Sequence, residues 1–148
     1  MSLKDDIQQD MKQAMRAGDK RRLGVIRLIL AAVKQREVDE RIELDDTRII
    51  AVLDKMAKQR RESFEQYDRA GREDLAAQEA FELEVLKGYL PQPLDEAEIE
   101  ALIEQAIQAT GAASLKDMGR VMGQLKDQLQ GRADMGAVSA RIKARLSA

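Results

Sequence analysis

The stretch Lys116-Asp117-Met118-Gly119-Arg120-Val121-Met122-Gly123-Gln124-Leu125-Lys126 reads as one helix with two unlike faces. At about 100° per residue, Met118, Val121, Met122, Leu125 and Leu129 gather on one side as an apolar stripe. Gly119 and Gly123 fall on the other flank, with Lys116, Arg120 and Lys126 bordering them. A glycine inside an exposed helix costs about 1 kcal/mol relative to alanine, so two of them imply close approach of something large.

The same helical period recurs along the chain. Ser2 followed by Asp5 resembles a capping box, Leu3, Ile7, Met11 and Met15 form the stripe behind it, and Gly18 supplies a stop. Asp19 caps a second helix whose centre, Leu23 to Val33, is apolar almost all round and is expected to be wrapped on several sides. After a polar loop near Val38 to Leu44, Asp45 or Asp46 starts a long third helix through Ile49, Leu53, Met56, Phe64 and Tyr67, ended by Gly71. A fourth runs from about Arg72 to Leu90, where Pro91-Gln92-Pro93 forbids continuation because neither proline offers a backbone donor.

Beyond the prolines, Asp95 and Glu98 form a capping pair, Leu94 and Ile99 a hydrophobic staple, and Ile99, Leu102, Ile103, Ala106 and Ile107 an apolar stripe that stops at Gly111. Its acidic face is most simply a solvated face. Ser114 is expected to cap the glycine-bearing helix, Gly131 to end it, and Asp134 to cap a last helix that turns Met135, Val138, Ile142 and Leu146 inward. No strand-like alternation occurs. The chain is expected to be all-α, with an N-terminal four-helix domain over 1–90, a proline-containing linker at 91–93 and a small three-helix C-terminal domain over 94–148.

Composition removes most familiar chemistry. Cysteine and histidine are both absent, which excludes disulfides, thiolate nucleophiles, imidazole catalysis and the common zinc sites. The serines lack a histidine or a glycine-rich elbow nearby, and the carboxylates lie beside Lys or Arg at helical spacing. No catalytic residue, metal site or cofactor site is therefore assigned. The polar, acidic start and the shortness of the longest apolar run point to the cytosol and away from a membrane.

The formal net charge of −2 gives no global attraction to nucleic acid, so any such binding must come from local clusters. One lies on the third helix, where Lys55, Lys58, Arg60 and Arg61 crowd about two turns, with Lys20, Arg21 and Arg22 at the start of helix two. The simple reading is a solvated surface, and phosphate contact is the alternative. On the glycine-bearing helix the balance differs, because bare backbone lets a ribose-phosphate chain approach while Lys and Arg neutralise it. The competing reading has another helix packed on those glycines.

The segments Lys58-Gln59-Arg60-Arg61-Glu62-Ser63, Ala70-Gly71-Arg72-Glu73-Asp74-Leu75-Ala76 and Tyr89-Leu90-Pro91 resemble the stand-alone branch of the GatB/YqeY family. The segments Lys116 to Gly123 and Gly131-Arg132-Ala133-Asp134 resemble the tail domain shared with the B subunit of the tRNA-dependent amidotransferases. Arg120 stands where a lysine is common in that family. The resemblance implies a helical protein whose tail binds tRNA and which lacks the amidotransferase's catalytic portion. On it, Lys116, Arg120, Lys126 and Arg132 are expected to meet phosphate, Gly119 and Gly123 to allow approach, and Asp117 and Asp134 to serve local structure. Two other functions remain open: a module that docks on a protein of the aminoacyl-tRNA machinery, and a carbon-nitrogen ligase with glutamine as amido donor.

Overall fold

The computed structural model describes residues 2–147. Among these residues the chain is all-α, with seven helices and no strand: α1 (Leu3–Ala17), α2 (Lys20–Glu40), α3 (Asp46–Arg69), α4 (Glu73–Lys87), α5 (Glu96–Thr110), α6 (Met118–Leu129) and α7 (Met135–Ser147). A 3-10 turn, Leu115–Asp117, precedes α6. The helix ends follow local chemistry. Capping boxes open α1 (Ser2 with Asp5) and α5 (Asp95 with Glu98), Asp19 and Asp45 cap α2 and α3, and Gly18 and Gly111 close α1 and α5 in the left-handed region, at φ 68° and 66°.

The chain divides into two compact units, one ending at Leu90 and one beginning at Pro91. In the first, α1 to α4 surround the fully buried side chains of Ile7, Ile26, Ile29, Ile49, Leu53 and Leu86. The stripe of α1 differs from expectation. Ile7 and Ala14 are buried, Leu3 and Met11 only partly, and Met15 is 53% exposed. Steps of four residues rotate about 40° each around a 3.6-residue helix, so Met15 has drifted off the core face, whereas Ala14, seven residues after Ile7, stays within about 20° of it.

Helix α2 runs slightly further than expected. It continues to Glu40, taking in the first three residues of the expected loop, and ends with Arg41 in the left-handed region at φ 56°, its N–H donating to the Glu37 carbonyl. Leu44 then turns inward and is buried, and its N–H donates to Glu37 Oε2 at 2.9 Å. That bond, with the Lys4 ammonium 3.0 Å away, holds the Glu37 carboxyl below its usual range. As expected, α2 meets neighbours on several sides, α1, α3 and α4, which bury Val25, Ile26, Ile29 and Val33, while Gly24, Leu28 and Ala31 face outward.

Two polar contacts brace this unit. Tyr89 donates its hydroxyl hydrogen to Asp10 Oδ2 at 2.6 Å, tying the turn after α4 to α1, and burial together with that carboxylate pushes the phenol above its usual value. Tyr89→Phe should cost about 1.5–3 kcal/mol in chemical denaturation, the worth of a hydrogen bond to a charged group. On α3, Arg60 turns inward and stands 3.7 Å from Glu82, which is buried on α4.

In the second unit, α5, α6 and α7 pack around Ile103, Val121, Leu125, Leu129 and Ile142, each no more than 1% exposed, and Leu94 and Ile99 rest against this core. Asp134 Oδ1 accepts from the Gly136 N–H at 3.0 Å at the start of α7. The acidic face of α5 is paired across helices, not merely solvated. Arg141 of α7 lies 3.2 Å from Glu96 and 2.8 Å from Glu100, and Arg145 contacts Glu100 and Glu104. The Glu104 carboxyl is held below its usual range by Arg145, with help from Gln108.

Candidate nucleic-acid interface

The glycine-bearing segment opens on a 3-10 turn: Lys116 belongs to that turn, and α6 follows without a break at Met118. Asp117 ties the turn to the residues before it. Its carboxylate accepts from the Ala113 N–H at 2.9 Å and the Ser114 N–H at 3.2 Å, and pairs with the Arg120 guanidinium. The Ala113 bond, then Arg120, then the Ser114 bond hold this carboxyl at about 2. A carboxyl depressed in the folded chain contributes stability above its unfolded value of 3.8, and the contribution is lost as pH falls through about 2. The amide resonances of Ala113 and Ser114 should therefore titrate with a midpoint near 2, and Asp117→Asn should abolish that transition.

Gly119 and Gly123 both lie exposed on α6, and a Cβ added to either would meet nothing within 4 Å. Among the described residues, no other segment of the second unit covers them. Lys126 shares their flank: it follows Gly119 by seven residues, which places it within about 20° around the helix. Lys116 and Lys126 are exposed and make no ion pair among the described residues.

The two arginines assigned to this surface are engaged in the fold. Besides Asp117, Arg120 reaches back to α5, its Nη1 donating to the Thr110 carbonyl at 3.2 Å, although its side chain stays 61% exposed. Arg132 Nε donates to the Gln92 carbonyl at 3.0 Å, and the Leu94 N–H donates to the Arg132 carbonyl at 2.9 Å, so this residue pins the proline segment. Both partners are backbone carbonyls distant in sequence, and periodicity carries no sign of them. With Arg141 and Arg145 paired to α5, the open positive charge near the glycines rests on Lys126 of α6 and Lys116 of the turn before it, with Arg120 at its edge.

The second basic group loses one member to the fold. Lys55, Lys58 and Arg61 are exposed and, at successive steps of three residues, span about 120° around α3, while Arg60 is directed to Glu82. Arg21 is likewise occupied, stacked 4.0 Å from the centroid of the Phe81 ring. Among the described residues no group of three or more acidic side chains could hold a metal ion, and no helix is long and apolar enough to cross a membrane.

The family model for Yqey-like proteins matches residues 4–146. Among curated proteins, the chain is similar to three fungal proteins named "Altered inheritance of mitochondria protein 41, mitochondrial". It is 31% identical to that of Pyrenophora tritici-repentis over 93% of this chain and 77% of the relative. It is 30% identical to that of Vanderwaltozyma polyspora and 34% to that of Lachancea thermotolerans, each over 76% of this chain. In both of these the chain spans 64% of the relative's length. Their names place those relatives in mitochondria, which departs from the cytosolic expectation formed on this sequence. A match over nearly the whole chain shows that this protein belongs to the YqeY family.

Proposed function

We propose that this protein is a non-catalytic accessory that binds the backbone of tRNA on the open glycine flank of α6. The observation that carries the reading is that Gly119 and Gly123 have free space above them beside two cations without ion-pair partners. A helix surface that only needed to be solvated would gain stability from alanine at both positions. Bare backbone next to ammonium groups suits a ligand that is bulky, rigid and negatively charged, and the phosphodiester chain of a folded RNA has those properties. With aromatics only 3% of the chain, grip by base stacking is a minor contributor. The resemblance of this segment to the tail of the amidotransferase B subunit supports tRNA as the RNA, and the setting would be translation in whichever compartment holds the chain.

Lys116→Gln with Lys126→Gln tests the reading by removing both charges without setting a new carboxylate beside Asp117 and Arg120. In fluorescence anisotropy with tRNA at low salt, the double variant should bind at least tenfold more weakly. The slope of log K against log salt should become shallower by about 2, one unit per lost phosphate contact. Unchanged affinity and slope would remove tRNA from this face. If binding to a protein of the aminoacyl-tRNA machinery instead proves insensitive to salt and is lost in Gly123→Leu, the flank is a protein-docking groove.

A further inference from the structure

The outward face of α2 carries an arrangement unrelated to the α6 flank. Lys20, Arg27, Lys34 and Arg41 recur every seven residues, and seven residues fall only about 20° short of two helical turns. The three on α2, Lys20, Arg27 and Lys34, thus form a row down one side of the helix, about 21 Å from first to last, and Arg41 follows at its C-cap. All four are exposed, and none makes an ion pair among the described residues; Lys34 is only near enough to Glu37 to help lower its carboxyl. This sets them apart from Arg36, Arg48 and Arg60, each of which has an acidic partner.

The acidic groups near the row are committed elsewhere. Glu37 accepts from Lys4 and from the Leu44 N–H, Glu43 lies 3.8 Å from Lys4, and Asp39 accepts from the Gln35 amide. Four residues after each of the three helical cations, where a solvated helix commonly places a carboxylate, stand Gly24, Ala31 and Val38. Leu28 is 48% exposed and Val38 59%, and nothing lies within 4 Å of the position a Cβ would take on Gly24. The face therefore has a seam of small and apolar residues edged on one side by a positive row.

We propose that this face of α2 docks an acidic amphipathic helix from a partner protein. Such a helix, laid along α2, would bury Leu28 and Val38, come close to the backbone at Gly24 and Ala31, and set carboxylates at seven-residue intervals against Lys20, Arg27 and Lys34. A phosphate backbone would meet the charges but leave the two apolar side chains wet. A second copy of α2 would bring like charges together.

The probe is a designed helical peptide of about 24 residues with Leu and Ala along one seam and Glu at seven-residue spacing beside it. We expect it to bind the full chain at low salt, with amide shift changes confined to the outward face of α2. Arg27→Glu with Lys34→Glu should weaken binding at least tenfold, and a peptide with Lys in place of Glu should restore it to the variant. Leu28→Ser, which changes no charge, should also weaken binding, and circular dichroism should show unchanged helicity in each variant. No binding, shifts elsewhere, or equal binding of the Lys peptide to the natural chain overturns the proposal. So does displacement of the peptide by a short duplex RNA at lower concentration, which reassigns the row to nucleic acid, or a dimer that the double variant dissolves, which reassigns it to a second copy.

Discussion

Gly119→Ala combined with Gly123→Ala is expected to make the second unit more stable by about 1–2 kcal/mol, because each exposed helical glycine costs about 0.5–1 kcal/mol relative to alanine. Added methyl groups meet nothing within 4 Å, so no clash offsets the gain. The same pair is expected to weaken tRNA binding, and Gly123→Leu to reduce it at least tenfold while the unit stays folded. Thermal unfolding followed by circular dichroism, with anisotropy on the same samples, reads both effects. Stability rising while binding falls identifies glycines retained for contact with a ligand. A fall in stability would mean that the helix uses these positions for close packing.

Leu125→Ala should be the most damaging single change in the second unit. Leu125 is 1% exposed and sits one turn from Val121 and Leu129 in the core beneath the candidate surface. Truncating a buried leucine costs about 2–5 kcal/mol, and a unit of this size has roughly 3–8 kcal/mol to lose. The α6 surface should therefore lose its order at or near room temperature, and tRNA binding with it, although every cation remains. Urea unfolding monitored by amide signals of α5 to α7 measures the loss. A cost under about 1 kcal/mol would show that this core is repacked easily and does not hold the surface in place.

Helix ends were legible because their signals are local. A Ser or Asp three residues before an acidic side chain satisfies the first free N–H groups wherever the chain goes, as at Ser2 and Asp95, and a glycine accepts positive φ at Gly18 and Gly111 regardless of neighbours. The apolar stripe of α6 was legible for a related reason: Val121, Leu125 and Leu129 are spaced so that any helix they form must put them on one side. Where a stripe admitted two readings, as on α1 between Ala14 and Met15, only the neighbouring helices chose between them. The same limit applied to α2, whose apolar residues exceed what its partners cover.

Charge was the least legible feature. Arg120 and Arg132 look equivalent to Lys126 along the chain, yet each finds a carbonyl from a distant segment, Thr110 and Gln92, while Lys126 finds none. Arg141 and Arg145 are matched to Glu96, Glu100 and Glu104 by ion pairs that reach from α7 to α5. The seven-residue row on α2 could have been found by counting, since Lys20, Arg27, Lys34 and Arg41 are spaced regularly; its exposure could not.

By itself the sequence determined that the chain is all-α, where most of its helices are capped, and that two glycines interrupt a charged helix, because these depend on backbone bonds and side-chain periodicity within a few turns. Only the tertiary structure decided that those glycines are uncovered and that two of the four cations beside them are spent on the fold. Whether a surface charge is available for a ligand depends on which carbonyls and carboxylates packing brings within about 3–4 Å, and that is a property of segments far apart in the chain.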